Sequence, residues 1–295
     1  MFHFRGPSPN FGDELNAWLW PKLIPDLLDD DPAVRFLGIG SILFDTFDPA
    51  VLKVVFGAGF GGYTAAPRLD PSWFVYFVRG PRTAFALGLK SGFGLGDSAT
   101  LIRAARPPAV PKRYRAAFVP HWESLVYGAW PAAAARAGLH LIDVRWPVDT
   151  VLDHMLASEV LICEAMHGAI VADALRIPWI AVDPLMRVNQ AKWHDWADSL
   201  GLELRMAELR PSAWLERARQ LVQCDRARLR WVSYQGLKLE GRLNGPWIRD
   251  AAGSLARAAQ CEPQLSSDSA IERVTDTMLG HLRQLSAGRH LRSRR

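Results

Sequence analysis

The sequence predicts an α/β fold made of two doubly wound, Rossmann-like lobes with a helical C-terminal extension. Three observations point to it. Short apolar runs that suit buried strands recur in both halves and alternate with helical patterns. Glycine-containing breaks stand where those runs end. A basic, proline-rich stretch, 103–113 (RAARPPAVPKR), separates the halves. The implied divisions are 1–108 for the N-terminal lobe, 109–210 for the C-terminal lobe, and 211–295 for the helical extension and its basic tail. A cleft is expected between the lobes.

The elements follow in order. Phe2 to Phe4 reads as a short strand ended by Gly6-Pro7. Asp13 is placed to cap a helix carrying Leu15, Trp18 and Leu19, which stops at Pro21. Val34 to Leu43 reads as strand and glycine turn, Val51 to Phe56 as a strand before Gly57, and Trp73 to Val78 as a strand before a helix that ends at Leu87. Beyond the linker, strands are expected at 116–119 and 139–144, and helices at 130–137 and 148–157. The clearest unit is Ser158 to Asp183. Val160 to Cys163 is an unbroken apolar run, Glu164-Ala165-Met166 breaks it, His167 opens a helix, and Trp179 to Val182 forms the next strand. A histidine then stands at a helix N-terminus beyond a strand's carboxyl end, where α/β proteins bind anions. Leu202 to Met206 is the last expected strand.

Composition narrows the class. Of 295 residues, 49% are hydrophobic and 22% charged, which suits a soluble globular chain. The net charge is +5, and residues 281–295 hold five arginines and no acid. Such a tail reads first as a solvated end and second as an attraction to anionic lipid. Cys163, Cys224 and Cys261 are odd in number and far apart, which supports neither a disulfide framework nor a zinc site and fits a reducing cytoplasm. The N-terminal MFHFRGPSPN is not a signal peptide, and no run of about 18 apolar residues occurs.

Gly57, Gly59 and Gly62 match G-x-G-x-x-G after a strand. No helix pattern follows, and no acidic residue stands at the usual later position, so a dinucleotide site is not supported. The glycines suit close approach of backbone to an anion or to the opposite lobe. P-loop, nucleophile-elbow and zinc-helix motifs do not occur. What recurs is a strand end with a cation or imidazole beside glycine or proline: Arg79-Gly80, Pro120-His121 and His167-Gly168, with Gly96-Asp97 as an acidic counterpart. Together they describe a cleft for a small, multiply charged anion.

Five segments carry a family resemblance: Asn10 to Asn16 (NFGDELN), Phe56 to Gly59 (FGAG), Val78 to Thr83 (VRGPRT), Gly96 to Ala99 (GDSA) and Glu164 to Ile170 (EAMHGAI). In this order and spacing the chain resembles the polysaccharide pyruvyl transferase family over about residues 1–200. It is most similar to the exopolysaccharide ketal pyruvate transferase branch, of the succinoglycan and xanthan type. The resemblance implies a GT-B-like pair of lobes and transfer of pyruvate from phosphoenolpyruvate to a sugar as a cyclic ketal. It also implies His167 as the acid/base residue and Arg79 as a donor contact; Glu164, three residues before the histidine, is expected to tune it. Gly12, Asp13, Arg82 and His121 join the expected donor site, and Lys192 and Trp193 the acceptor side. Where many members carry an arginine two residues before the histidine, this chain has Ala165, and Arg82, Arg187 or Lys192 remain to supply the charge.

No metal or redox cofactor is expected, and phosphoenolpyruvate is a co-substrate. The expected partners are that donor and a lipid-linked oligosaccharide, with peripheral contact at the inner face of the cytoplasmic membrane and no nucleic acid. Loss of membrane association on deleting 281–295 would test the contact. Two other readings compete. One is a glycosyltransferase of the same architecture, with Trp193 and Trp196 stacking on a nucleotide base. The other is a non-catalytic carbohydrate-binding subunit that faces sugars with Trp122, Trp130 and Trp146.

Overall fold

The computed structural model describes residues 1–28, 31–105, 107–183, 185, 190–221 and 244–288. Cys224, Arg187, the tail from 289 and much of the segment after 221 lie outside the described residues. The fold is mixed α/β with two parallel sheets. The first has three strands in sequence order, β1 (Val34–Leu37), β2 (Leu52–Phe56) and β3 (Trp73–Phe77). The second comprises β4 (Tyr114–Val119), β5 (His140–Leu141), β6 (Ser158–Cys163), β7 (Trp179–Val182) and β8 (Met206–Ala207), in the order β5-β4-β6-β7-β8.

That order reverses between β4 and β6. Successive crossovers go one way to β5 and the other way to β6, β7 and β8. The connections leaving β4 and β6 therefore run in opposite directions, and the carboxyl ends of such strands are where doubly wound sheets bind ligands. This is a doubly wound, Rossmann-compatible order.

The helices are α1 (Phe11–Leu23), α2 (Pro81–Ala86), α3 (Ile102–Ala105), α4 (Trp122–Tyr127), α5 (Trp130–Arg136), α6 (Val148–Leu156), α7 (Met166–Ala174), α8 (Gln190–Leu200), α9 (Trp214–Leu221), α10 (Gly245–Ala258) and α11 (Asp268–Ser286). In α7 every residue from Gly168 to Ala174 is buried, as its all-round apolar surface requires. Its one buried acid, Asp173, accepts from Trp179 Nε1, Ser266 N and Ser266 Oγ. One hydrophobic core joins Phe36, Val54 and Phe56 of the first sheet to Phe118, Ile162 and Ile180 of the second. Among the described residues no helix is long and apolar enough to cross a membrane.

Several expected elements are shorter, each for a local reason. Phe2 makes a single bridge to Leu37, because Phe2 alone reaches β1. The strand from Val34 stops at Leu37, since the Asn16 side chain takes both the N–H and the C=O of Ile39. Helix α1 runs through Pro21 to Leu23, where burial of Leu19 and Trp20 outweighs one missing hydrogen bond. Asp13 does not cap that helix, which starts two residues earlier; the Phe11 N–H is met by the Val144 carbonyl. That contact takes the chain off the sheet beyond Ile142, whose N–H still meets the Phe118 carbonyl, and so ends β5. Arg205 pairs its backbone with the Gln264 side chain, so β8 begins only at Met206. The long C-terminal helix α11 returns to the first half of the chain, setting Met278 against Gly96 and His281 against Phe77.

Candidate active site

The β4/β6 reversal is flanked by the two histidines that the strand ends carry. His121 follows β4 and is linked to the β6 loop by its backbone N–H, which donates to Glu164 Oε2 at 2.8 Å. His167 is the second residue of α7. The first turn of α1 closes over its ring. A Cβ built on Gly12 would overlap His167 at Nδ1, so only glycine lets α1 approach this closely. The other ring nitrogen, Nε2, lies 3.7 Å from Asp97 Oδ2.

Asp97 precedes the short 3-10 turn Ser98–Leu101 and caps it, its Oδ1 accepting the Ala99 N–H at 2.9 Å. The turn is fixed from the far side by the hydrogen bond of Ser98 Oγ to the Phe56 carbonyl. Asp97 was visible in the sequence as an acidic strand-end residue, but its meeting with His167 is a tertiary fact that spacing does not encode.

Asp13 lies beside the pair. It accepts from Asn10 Nδ2 at 2.7 Å, and burial raises its pKa against the opposing pull of that bond and of the His167 and His3 charges. Lys192, on α8, donates to Tyr63 Oη at 2.5 Å. Its pKa is pushed down to about 8, first by burial and then by the Arg79 charge, with Asp13 and Glu123 pulling the other way. His121 is pushed down to about 3, by burial first and then by Lys192 and His167. It is therefore a neutral hydrogen-bonding group here; its Nδ1 accepts the Glu123 N–H. Imidazole, lysine and a carboxyl that burial disfavours as an anion share one electrostatic neighbourhood.

The other expected site residues sit differently. Glu164 is buried and makes no hydrogen bond or ion pair with His167 among the described residues. Its carboxylate instead takes the His121 N–H, Ser124 Oγ and the Leu185 N–H, a clasp between the β4 and β6 loops. Burial raises its pKa in spite of those donors.

Arg79 is 1% exposed, with Nε on Asp195 Oδ2 at 3.0 Å, Nη1 on Ser41 Oγ and Nη2 on the Phe60 carbonyl. Arg82 points outward to Asp198 at 2.8 Å. Trp193 and Trp196 are 1% exposed and pack against Trp179, so neither offers a face to a sugar or a base. Trp130 is likewise buried, its Nε1 held by Glu216.

The residue that sequence reasoning missed is Asp195. It accepts Arg79, the backbone N–H groups of Arg82 and Thr83, and Thr83 Oγ1. It lies between Trp193 and Trp196 and carries no signal of its own.

The glycine turn after β2 is filled by protein. Gly57 has φ +91, and a Cβ there would strike Ser98, while one on Gly59 would strike the Arg79 guanidinium. The approach is by Ser98 and Arg79, residues of the same half of the chain and not of the opposite lobe.

Over 277 residues, 92% of this chain and 85% of its counterpart, the sequence is 36% identical to the succinoglycan biosynthesis protein ExoV of Rhizobium meliloti (strain 1021). No family model matches the chain, and no solved structure matches it.

Proposed function

This chain belongs to the succinoglycan-type branch of the polysaccharide pyruvyl transferase family, and from that premise we propose that it transfers pyruvate from phosphoenolpyruvate to a sugar of an exopolysaccharide repeat unit. The product is a cyclic ketal across two hydroxyls. The observation that carries the chemistry is His167, an imidazole at a helix N-terminus beside the strand-order reversal, with Lys192 in electrostatic reach of the same site through His121 and Asp13.

In this reading His167 gives a proton to the methylene carbon of the donor, which leaves C2 electrophilic. A sugar hydroxyl adds to C2, and His167 accepts the proton it loses. Phosphate departs, the second hydroxyl closes the ring, and its proton leaves with the phosphate. His167 thus ends in the state in which it began and the departing phosphate carries the other proton, with phosphoenolpyruvate as co-substrate and no redox cofactor. The donor brings three negative charges. Lys192, whose nearest polar partner is a neutral phenol, is the cation we assign to them in place of the arginine that Ala165 replaces. Arg82 is paired with Asp198, which argues against it.

Helix N-terminal N–H groups at α7 supply further donors to the anion. The two parallel sheets with strand ends lined by motif residues support a GT-B-like pair of lobes, divided near 108 and 210. The acceptor in this reading is a lipid-linked oligosaccharide in the cytoplasm. The nucleotide-sugar alternative loses its stacking surface, since Trp193 and Trp196 are core residues.

Phosphate release from phosphoenolpyruvate by the purified protein, with and without a lipid-linked oligosaccharide extract of its host, tests the proposal. Acceptor-dependent release that His167→Ala abolishes is expected. Absence of release together with no thermal shift by phosphoenolpyruvate would overturn it.

A further inference from the structure

Two buried polar atoms face each other without a hydrogen bond to either, and their pairing has a direct consequence for His167. Among the described residues, Asp97 Oδ2 and His167 Nε2 are both buried and both lack a hydrogen-bond partner. They stand 3.7 Å apart, and Asp97 is 0% exposed. Each group left unmet carries an uncompensated desolvation cost. A carboxylate oxygen only accepts, so the two satisfy each other only when Nε2 carries a hydrogen. A ring movement of under about 1 Å closes the gap to hydrogen-bond distance.

We propose that Asp97 is the positioning residue for His167: it holds the imidazole as the Nε2–H tautomer and so leaves Nδ1 as the nitrogen that exchanges protons with substrate. This rests on the pyruvyl-transfer reading for its chemistry, but not for its geometry. Three features support it. Asp97 cannot turn away, because its Oδ1 is engaged by the Ala99 N–H and its turn is anchored by Ser98 Oγ on Phe56. The helix α11 backs it from behind, with Met278 and Val274 against Gly96. His167 keeps 14% of its side-chain surface in solvent although Nε2 itself is buried, so that exposure belongs to the rest of the side chain.

The test is the imidazole 15N spectrum of the full-length, ligand-free protein in alkaline buffer, with the His167 signals identified by their loss in His167→Gln. The wild type is expected to show the Nε2–H form. In Asp97→Asn the Ala99 N–H still claims Oδ1, so the new NH2 group faces Nε2 and the ring is driven to the Nδ1–H form. Turnover is expected to fall by about 10²–10⁴-fold with little change in KM for phosphoenolpyruvate, because a misplaced proton acts on the chemical step. An Nδ1–H signal in the wild type would overturn the proposal even if Asp97→Asn failed to fold. An Asp97→Asn spectrum identical to that of the wild type would overturn it too. If the wild type does not consume phosphoenolpyruvate, the proposed reaction fails while the tautomer measurement still decides the role of Asp97.

Discussion

In the proposed reaction the donor's charge falls to one ammonium group, that of Lys192, and its surroundings have weakened it. Lys192 sits with its pKa near 8 because burial and the Arg79 charge both disfavour the cation, Asp13 and Glu123 opposing them only in part. Below that value it is charged and attracts the donor; as pH rises through it, the attraction is lost. For the free enzyme, kcat/KM for phosphoenolpyruvate should therefore fall as pH rises from about 7 to about 9, on a limb that belongs to Lys192. Lys192→Arg should flatten that limb, since a guanidinium stays charged. Lys192→Met should raise KM about 10–100-fold at neutral pH, the loss expected for a hydrogen bond to a charged group. Initial-rate kinetics across this range check all three. An unchanged KM in Lys192→Met would remove the lysine from the donor site. His121 offers no substitute charge, being neutral down to about pH 3.

At the scale of elements, Asp195 ties the start of α2 to α8, and Arg79 is the buried cation of that tie. Removing either partner strands a charge in the core, which costs about 3–5 kcal/mol. Arg79→Ala and Asp195→Ala should both lower stability by that order in urea unfolding, with activity falling in step. Full stability in Arg79→Ala with donor affinity lost would instead make Arg79 a donor contact, as its motif implies. The tie also marks where sequence reasoning reaches and where it stops. The β6-α7-β7 unit was legible because its signals are local: an apolar run, a break, a helix opening at His167, and a second apolar run. The strand-end residues Arg79, His121 and Asp97 were legible as polar residues at glycine or proline turns. Their partners were not. Asp195 lies 116 residues from Arg79 in sequence, and nothing in its neighbours announces an ion pair. Trp193 misled for a related reason: a helix shows its sequence neighbours but not which face the core takes. Glu164 stood three residues from His167, yet the loop turns its carboxylate toward β4. The shortened strands have the same origin, in that Asn16, Val144 and Gln264 take backbone partners across the fold.

On the scale of the whole molecule, charge is unevenly spread, and its far end carries the last prediction. The chain has 35 basic residues against 30 acidic, and four arginines lie among residues 289–295 with no acid. Deleting from 281, the simplest truncation to read from sequence, would cut into α11, where Leu282 and Leu285 are buried in the main core. Any loss of membrane contact would then be confused with loss of fold, because that helix also backs the turn at Gly96. Removing 289–295 alone spares the helix and brings the basic count to 31. If the lipid-linked acceptor is met at an anionic surface, each arginine near that surface adds about 1 kcal/mol of attraction, screened over about 8 Å at physiological salt. The full chain should therefore sediment with vesicles containing phosphatidylglycerol but not with phosphatidylcholine alone, and added salt should release it. The truncated chain should bind about 100-fold or more weakly while its thermal midpoint and its turnover of a soluble acceptor fragment stay unchanged. Equal vesicle binding by both chains would assign the attraction to the folded surface, and no binding by either would leave the tail as a solvated end.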